Sequence, residues 1–580
     1  MLPSEDARRW RWLASRRIIL LATLLGVVLA SPSLLSGWQT EDYEARSLAR
    51  APISTLVRPF RPVEDPTFQN YAGKDEGVLP WITVPTWRIA LWRPLTRATH
   101  YLDYRLWPES AAAMHAQSLA WFALLLAAAG WLFRRIDGTG RAAGLAAVLY
   151  AVDSGHGPAL GWLSNRNAIV ASAFALLSLG LHDRWRREGW LLGALAAPLC
   201  LALGLMSSEL ALGAMGYLIA YAVVIDRARW QRRALSLLPA TAVVAAWALV
   251  TRHLGYGAYG SGAYIDPLAS PLAFVRALPL RLLELGFGVL GVAPLDLKPF
   301  LDMRWPLVLV AGGLVFLSFA VVMLGERLRS DRGGRFWALG TILALVPAAA
   351  TFPGDRLLVL GSVGGAALIA RFVMAVGHAS WPRAARALGG IWLLTHLWLS
   401  ALLLPVRSLG FMLLDRTIDR MSDQAFACAG AGVERVVIVN APDLYTGASL
   451  VARRRFLGRP STPNALVMHG GIDPVRVRRL DGFTLSVRPA LGFLAMPFNR
   501  VYRDDGHPMR SGEGLQLTGV QAIVAEVDAH GRPTEVRFRF ARPLEDPRYC
   551  LVAWNGRSYS RLPLPPAGGS VLVPAVHLRF

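Results

Sequence analysis

The sequence has few charged residues for its length, and this scarcity excludes most soluble proteins. Only 17% of the 580 residues are Asp, Glu, Lys or Arg, whereas about 25% is usual for a soluble domain. A disordered chain is excluded as well, because 54% of the residues are hydrophobic. The hydrophobic residues form runs of roughly 18 to 22, about the length at which a helix crosses a ~30 Å hydrocarbon layer. The composition therefore predicts a polytopic membrane protein.

Cysteine and lysine are also scarce. The three cysteines, Cys200, Cys428 and Cys550, form no C-x-x-C pair, which argues against a structural zinc or iron–sulfur site. Of the 61 basic residues, 59 are arginine, and with the abundant Ala, Leu and Gly this is typical of compositional bias. The net charge of +22 does not indicate a nucleic-acid partner, because much of it lies in short loops between apolar runs.

Eleven apolar runs predict eleven membrane spans. They lie near residues 18–35, 114–133, 142–155, 167–182, 189–206, 209–225, 235–251, 306–324, 336–351, 356–376 and 387–406. Five arginines precede the first run, so the positive-inside rule predicts a cytoplasmic N-terminus. We interpret the first run as a retained anchor, since no small-x-small cleavage site follows it as it would in a signal peptide.

Alternate loops carry the arginines that this arrangement requires. The arginines cluster at residues 134–141, 184–187, 227–233, 327–335 and 383–386, and the intervening short loops contain few. An odd number of spans then predicts that everything after about residue 406 lies outside the cytoplasm. The arginine bias and the lack of a eukaryotic targeting signal favour a bacterial inner membrane.

Two predicted extracytoplasmic loops are long, at residues 38–113 and about 251–305. Segment 278–292 in the second loop is apolar on most sides and suits a helix that lies in the headgroup layer. The alternative is a further spanning helix, which would put the downstream arginine loops on the wrong side of the membrane.

The sequence predicts two domains, a transmembrane domain at 1–407 and an extracytoplasmic soluble domain at 408–580. Strands at 436–439 and 465–468 flank a helix at 448–456 and predict a small α/β unit. Further strands follow at 475–479, 484–487, 515–527, 534–540, 549–554 and 571–573, and this pattern predicts a β-sandwich-like half.

The cysteines of the predicted soluble domain allow two interpretations. Cys428 and Cys550 can form a disulfide if the compartment is oxidising. Cys550 lies in an apolar strand, so it is alternatively a free buried thiol.

Ionisable residues collect at the predicted outer ends of the spans. Because a charge near hydrocarbon is costly, such residues are functional candidates. They are Glu41, Asp42, Arg93, His100, Asp103, His115, Asp153, His156, Arg166, Glu209, Asp355 and Arg356. If these helix ends converge, arginine forks can bind phosphate oxygens and a carboxylate can take a hydroxyl proton. The combination suits a phosphate-bearing ligand and an acceptor hydroxyl.

Four groups of motifs follow one another on this predicted face. They are Trp92-Arg93-Pro94-Leu95-Thr96 with Leu102-Asp103-Tyr104-Arg105-Leu106-Trp107 and His115; Leu149-Tyr150-Ala151-Val152 with His156, Gly161-Trp162-Leu163-Ser164 and Arg166; Ser207-Ser208-Glu209; and Asp355-Arg356-Leu357-Leu358 with Ser362-Val363-Gly364. In this order they resemble motifs of the polyprenyl-phosphate-sugar glycosyltransferases of the GT-C superfamily. The resemblance is to the membrane half of tetratricopeptide-type O-mannosyltransferases and their bacterial relatives, and it covers roughly residues 15–375.

The resemblance implies a GT-C-like fold and inverting transfer of a sugar from a polyprenyl-phosphate donor to an extracytoplasmic glycan, lipid or protein. In such enzymes an acidic residue shortly after the first span acts as the base or helps to hold a divalent metal. Asp42 occupies that position here, with Glu41 beside it. No other cofactor is implied.

The remaining candidates divide into two groups. The arginines expected to bind the donor phosphate are Arg93, Arg166 and Arg356. The supporting residues are His115, His156, Glu209, Asp103 and Asp355, and Glu209 is expected to orient one of the arginines.

Departures from the family pattern leave an alternative function open. Ser208 stands where a lysine is expected, Glu41-Asp42 replaces a pair of aspartates, and Leu357 and Val359 replace tyrosines. No tetratricopeptide repeats follow. The alternative is a non-catalytic membrane assembly or lipid-handling protein on a GT-C scaffold. A transporter fits less well, because the paired acidic residues in mid-span that ion coupling needs are missing.

Overall fold

The computed structural model describes residues 10–291, 295–296, 305–328, 330–376, 381–457 and 463–576. The chain forms two compact units. The first, called the helical unit here, comprises Met1–Pro62, Leu91–Tyr256 and Asp266–Met412. The second, called the sheet unit, comprises Val63–Ala90, Gly257–Ile265 and Leu413–Phe580. The sheet unit therefore contains segments of both long loops in addition to the C-terminal part of the chain.

Helices follow most of the apolar runs. The α-helices of the described residues are α1 (Ile18–Ala30), α2 (Thr40–Ala45), α3 (Thr67–Glu76), α4 (Pro94–Leu106), α5 (Ala111–Asp137), α6 (Arg141–Ala151), α7 (Gly157–Gly161), α8 (Arg166–Glu188), α9 (Gly193–Leu205), α10 (Gly213–Ala220), α11 (Trp230–His253), α12 (Pro271–Gly291), α13 (Trp305–Leu328), α14 (Arg332–Ala348), α15 (Gly361–Val376), α16 (Arg383–Leu393), α17 (Ser400–Ala425) and α18 (Leu444–Phe456). Short 3-10 or π-helical segments extend several of them, such as Ser31–Leu35 after α1. The helical N-terminal region thus contains several apolar helices.

Few of these helices meet the length and composition of a membrane span. Within the described ranges, the four that do are Ile18–Leu35, Ala111–Asp137, Trp230–His253 and Arg383–Ala425. Shorter apolar helices are Gly193–Leu205, Glu209–Ile225, Val310–Gly325 and Gly361–Val376. Eleven spans and their orientation therefore stay a prediction. Segment 278–292 is helical as far as Gly291, and its last residue, like Arg329 of the arginine loops, lies outside the described residues.

Ion pairs near the arginine-rich loops join the ends of neighbouring helices in the helical unit. Asp183 of α8 lies 2.7 Å from Nε of Arg135 near the end of α5, and its side chain is fully buried. Arg371 of α15 binds both Asp137 at the end of α5 and Asp331 just before α14. Because a buried charge that loses its partner is costly, these arginines stabilise the helix packing.

Strands build the sheet unit. They are β1 (Arg88–Ala90), β2 (Gly257–Tyr259), β3 (Arg435–Ala441), β4 (Asn464–Gly470), β5 (Val475–Arg479), β6 (Thr484–Pro489), β7 (Gly514–Leu517), β8 (Val520–Val527), β9 (Pro533–Phe540), β10 (Tyr549–Trp554), β11 (Tyr559–Arg561) and β12 (Ser570–Val573). The sheets have the orders β1-β2, β11-β10-β3-β4 and β12-β5-β6-β9-β8-β7. β3 is parallel to β4 and β10, and the six-stranded sheet is antiparallel. Residues of the two larger sheets share one hydrophobic core.

Part of the first long loop belongs to this core. The indole Nε1 of Trp81 donates to the carbonyl oxygen of Met468 in β4 at 3.0 Å, and Arg435 of β3 binds Asp75 at 2.8 Å. Gly77 has a φ of 87°, and a side chain there would collide with the carbonyl of Ala465. Glycine is therefore required where α3 ends against β4.

Strands β1 and β2, in the two long loops, were not predicted. After residue 412 the strand predictions agree with the structure except at two places. Segment 515–527 forms two strands, β7 and β8, because Gly519 takes a φ of 75° between them and turns the chain. β11 was not predicted, since its three residues are too short for an alternating pattern to be recognised.

Cys428 and Cys550 form a disulfide, with Cα atoms 6.1 Å apart. This resolves the two interpretations of Cys550 in favour of pairing. Cys200 of α9 is free.

Removal of the disulfide is expected to destabilise the sheet unit. The bond joins residues 122 positions apart, so the double variant Cys428→Ser/Cys550→Ser should lose about 2–4 kcal/mol of unfolding free energy. Chaotrope unfolding of the detergent-solubilised chain, followed by tryptophan fluorescence, measures this. Cys200→Ser is the control and should unfold like the native chain. Three thiols that alkylate without reductant in the unfolded native chain would contradict the pairing.

Candidate functional site

Asp42 lies in the short helix α2, which follows the first apolar helix. Its side chain is 1% exposed. One carboxylate oxygen, Oδ2, accepts the backbone N–H of Gln39 at 2.9 Å. The other, Oδ1, accepts both the backbone N–H and the hydroxyl of Ser164, at 3.0 and 2.6 Å. Asp42 therefore fastens α2 to the turn that precedes α8.

The ionisation of Asp42 reflects two opposing effects. Burial raises its pKa to about 6, and the hydrogen bonds from Ser164 and Gln39 oppose this rise, as does the charge of Arg166. A carboxylate with this pKa is mostly ionised at pH 7 and is more basic than an exposed aspartate. It therefore has the pKa expected of a general base.

Helix α4 brings a second group of side chains to Asp42. The hydroxyl of Tyr104 donates to the backbone carbonyl of Asp42 at 2.7 Å. Burial raises the pKa of Tyr104, so the hydroxyl stays protonated and remains a donor. The preceding residue, Asp103, lies 2.5 Å from Nη1 of Arg166, and both side chains are fully buried. α2, α4 and α8 therefore meet at one buried cluster.

Arg166 is held on every nitrogen of its guanidinium group. Besides the contact with Asp103, Nε donates to the Ser118 hydroxyl at 2.9 Å and Nη2 to the Met114 carbonyl at 2.7 Å. Nη1 also donates to Gln117. These acceptors all lie on α5, so Arg166 joins α8 to both α4 and α5. A phosphate could bind this arginine only by displacing some of these contacts.

Asp103 makes fewer hydrogen bonds than Arg166, its ion-pair partner. Apart from the ion pair, neither carboxylate oxygen accepts a hydrogen bond from the described residues. Burial raises the pKa of Asp103 to about 6, and Arg166 opposes the rise. One turn earlier on α4, burial and the charge of Arg166 lower the pKa of His100 well below its usual value, so His100 is neutral at pH 7.

The two predicted histidines make structural contacts. His115, in the first turn of α5, has Nδ1 3.0 Å from the Leu160 carbonyl and Nε2 2.9 Å from the Gly37 carbonyl. His115 therefore joins the end of α7 to the segment before Asp42. The ring of His156 packs edge-on against Phe122 and Tyr150, and its Nε2 lies 2.9 Å from the Tyr150 carbonyl. It belongs to the core.

The other predicted residues form two further groups. Arg93, just before α4, makes a two-pronged contact with Glu209, at 3.1 Å from Nε and 2.5 Å from Nη2. Asp355 binds Arg407, and burial together with the nearby Asp296 raises the pKa of Asp355.

Arg356 makes no ion pair within the described residues. Its guanidinium group lies 5.0 Å from the centre of the Phe352 ring. Glu41, beside Asp42, is exposed. The structure thus brings Asp42, Asp103, His115 and Arg166 together, with Glu41 and His100 beside them. It places elsewhere Arg93, His156, Glu209, Asp355 and Arg356.

An arginine that the sequence analysis did not select lies on the same helix. Arg97 of α4 is half-buried, and its Nε has no hydrogen-bond partner among the described residues. Burial lowers its pKa, and so does the charge of Arg58 beside it. Neither arginine has an acidic partner in the described ranges. The sequence signal was available, because Arg97 follows Arg93 by four residues and so lies on the same face of α4.

The residues around Asp42 do not fit a metal site. Divalent cations such as Mg²⁺ and Ca²⁺ take several oxygen ligands, and no group of three or more His, Cys, Asp or Glu side chains among the described residues could hold an ion. Arg166 adds a positive charge close to Asp42.

Comparison with known proteins gives a distant likeness only. No family model and no curated protein matches the chain. The chain is similar to a crystal structure of the Archaeoglobus fulgidus oligosaccharyltransferase in the apo form, with a TM-score of 0.40, 11% identity, and coverage of 79% of this chain and 66% of that one. A second structure of that enzyme is tethered by a disulfide to an acceptor peptide with the NVT sequon. For this structure the TM-score is 0.39, the identity is 14%, and the match covers 76% of this chain and 64% of that one.

The chain therefore spans slightly less than two thirds of the length of these solved chains. Both TM-scores are low.

Loss of Arg166 should damage the buried cluster severely. Arg166→Gln leaves the buried charge of Asp103 without a partner, which is expected to cost about 3–5 kcal/mol. Thermal unfolding of the detergent-solubilised chain measures the effect. The matched control is Arg184→Gln, because Arg184 pairs with Glu188 at 2.9 Å on the exposed face of α8 and should cost about 1 kcal/mol or less. Equal effects of the two variants would contradict the assignment.

Proposed function

We propose that the chain is an integral-membrane glycosyltransferase that moves a sugar from a polyprenyl-phosphate donor to an extracytoplasmic acceptor. The observation that carries the proposal is the buried carboxylate of Asp42, whose pKa is about 6. It is joined through Tyr104 to the helix that carries Arg97, whose Nε has no hydrogen-bond partner among the described residues. A base and a phosphate-binding cation are the two groups that this reaction requires.

In the proposed reaction Asp42 acts as the general base. The acceptor oxygen attacks the anomeric carbon of the sugar while its proton passes to the Asp42 carboxylate. The bond between the anomeric carbon and the phosphate oxygen breaks, and the lipid phosphate leaves with the electron pair. No acid is needed for this departure, because the phosphate is a good leaving group, and attack from the opposite side inverts the anomeric centre.

The hydroxyl of Ser164 marks the position of the acceptor. It lies 2.6 Å from Asp42 Oδ1, which is the distance a substrate hydroxyl needs for proton transfer. In the proposal the acceptor hydroxyl takes this position when the Ser164 side chain rotates away. Glu41 is exposed next to it and is assigned to acceptor binding.

Arg97 and Arg58 are assigned to the donor phosphate. Arg166 and Arg93 are each engaged by a carboxylate, whereas Arg97 and Arg58 repel one another and would gain from an anion between them. Arg97 and Tyr104 are seven residues apart, or about 10 Å along one face of α4. This separation leaves room for a sugar between the phosphate and Asp42.

The disulfide supports the proposed location. Disulfides persist in oxidising compartments and are rare in the cytosol, so the pairing of Cys428 with Cys550 favours a sheet unit outside the cytoplasm. The proposal is a bacterial inner-membrane protein whose C-terminal part lies in the periplasm.

One observation favours the alternative of a non-catalytic scaffold. Asp42 already accepts three hydrogen bonds from within the chain, as a purely structural aspartate would. In this alternative the GT-C-like unit handles lipid or assembles a complex, and the charge of Asp42 serves only the fold.

The variant Asp42→Asn distinguishes a glycosyltransferase from a non-catalytic scaffold. We expect a deletion strain to lose a sugar from its envelope glycans or glycoproteins, and the Asn variant not to restore it, because the amide cannot take a proton. Ser164→Ala is the control, since it removes one hydrogen bond to Asp42 and keeps the base. In membranes, transfer of that sugar should fall about tenfold per pH unit below pH 6, as Asp42 becomes protonated.

Protein levels must be equal in all strains of this comparison. Asp103→Asn should leave the acid limb of the pH profile in place if Asp42 is responsible for it. Full restoration by Asp42→Asn would refute the catalytic role and favour the scaffold.

Arg97→Gln should weaken donor binding. Loss of a charge-assisted hydrogen bond of about 1.5–3 kcal/mol raises the KM for the lipid donor by about 10- to 150-fold. Steady-state transfer in membranes, measured against donor concentration, tests this. Arg105→Gln is the matched control, because Arg105 is exposed on the same helix. An unchanged KM for the Arg97 variant would remove this residue from the donor site.

A further inference from the structure

The outward face of the six-stranded sheet carries four exposed arginines that make no ion pair in the described part of the chain. Val475 and Val477 of β5 point into the core, and so do Val536 and Phe538 of β9. The residues that alternate with them point outward. These outward positions include Arg476, Arg478, Arg537 and Arg539, which are all exposed.

The four arginines form two rows on either side of β6. The register pairs Arg478 with Ser486 of β6, and Ser486 with Arg537 of β9. Arg539 likewise lies opposite Thr484 of β6. Along each strand the two arginines are about 6.6 Å apart, and the rows are separated by two strand spacings, about 9.6 Å.

The middle strand forms the floor between the rows. Ser486 and Thr484 are 4% and 8% exposed, and their short hydroxyl side chains donate to the carboxylates of Glu535 and Asp481. The flanking arginines are long and exposed, so the face is a shallow trough with a polar floor and cationic sides. Such a trough suits an extended polar chain.

The chain itself neutralises only part of the charge of the trough, because the carboxylates of Glu535 and Asp481 lie near Arg537 and Arg539 respectively. None of the four arginines makes an ion pair or side-chain hydrogen bond in the described part of the chain. Arg488 of β6 is different, because Glu535 and Glu526 bind it at 2.5 and 2.6 Å. Those two carboxylates limit the cationic region at one end. The partner is therefore anionic and extends along the trough.

The types of side chain on this face indicate which class of anionic partner it suits. The outward positions of β5, β6, β8 and β9 carry no aromatic side chain, whereas single-stranded nucleic acid is bound by stacking on aromatic residues. A membrane-docking face needs several apolar anchors among its cations. Ile523 is the one large apolar residue at these positions, and the edge strand β12 adds Leu572 opposite Arg476. Hydroxyls and arginines instead suit a polysaccharide that carries carboxylates or phosphates.

We propose that the trough formed by Arg476, Arg478, Ser486, Arg537 and Arg539 binds a linear anionic glycan. Its carboxylates or phosphates pair with the arginines, and its hydroxyls lie over β6. The proposal is independent of the reaction assigned to the helical unit, because it uses residues of the sheet unit only.

The experiment measures binding of polygalacturonate to the full chain. The chain is placed in nanodiscs of phosphatidylcholine, which carries no net charge. Neutral dextran, the oligonucleotide poly(dT) and vesicles of phosphatidylglycerol are the comparison probes. The test variant has Gln at Arg476, Arg478, Arg537 and Arg539. The matched control has Gln at four exposed arginines of the same unit outside the trough, namely Arg510, Arg542, Arg557 and Arg561.

We expect polygalacturonate to bind the native chain and dextran not to bind. The trough variant should bind at least about tenfold more weakly, and the control variant should change by less than about twofold. Binding should also weaken as salt is added. Equal weakening by both variants would overturn the proposal. So would tighter binding of poly(dT) or phosphatidylglycerol vesicles than of polygalacturonate at the trough. Because all eight positions are exposed, thermal unfolding should be unchanged in both variants.

Discussion

The buried ion pair between Arg166 and Asp103 determines how one end of the helical unit is arranged. Arg166 begins α8 and contacts acceptors on α5 and α4 at once. Its charge also reaches Asp42 and His100. One guanidinium group therefore fixes the relative position of three helices and contributes to the electrostatic surroundings of the candidate base. Burial raises the pKa of both carboxylates, and the charge of Arg166, which they share, offsets only part of each rise.

The fold was predictable where local sequence patterns determine it. Apolar runs marked the helices, and alternation marked β5, β6 and β9 to within two residues. The membership of Val63–Ala90 in the sheet unit was not predictable, since contacts such as that of Trp81 with Met468 join residues 387 positions apart. Hydrophobic periodicity reports the local chain and carries no information about such distant partners.

Several residues of the candidate site were predictable from the sequence. Which of these charged residues pair with one another was not. The sequence predicts Asp42, Asp103 and Arg166 as site residues, and the structure brings these side chains together. Arg166 is predicted to bind a ligand, yet its guanidinium group is already fully occupied within the chain. Arg97 was not predicted as a site residue, although its Nε has no hydrogen-bond partner among the described residues. The sequence shows which charges lie near the membrane, but which of them neutralise each other depends on how the helices pack.

The discontinuity of the sheet unit has a consequence for biosynthesis. Trp81, Ile82 and Val84 are nearly fully buried, and the strand that covers Trp81 is translated 387 residues later. At about 5–20 residues per second the ribosome needs roughly 20–80 s to reach it. During that interval the apolar loop segment has no native partner, while the helices between are being made. A chain that terminates before β4 would keep this segment uncovered and would be a target for quality-control proteases.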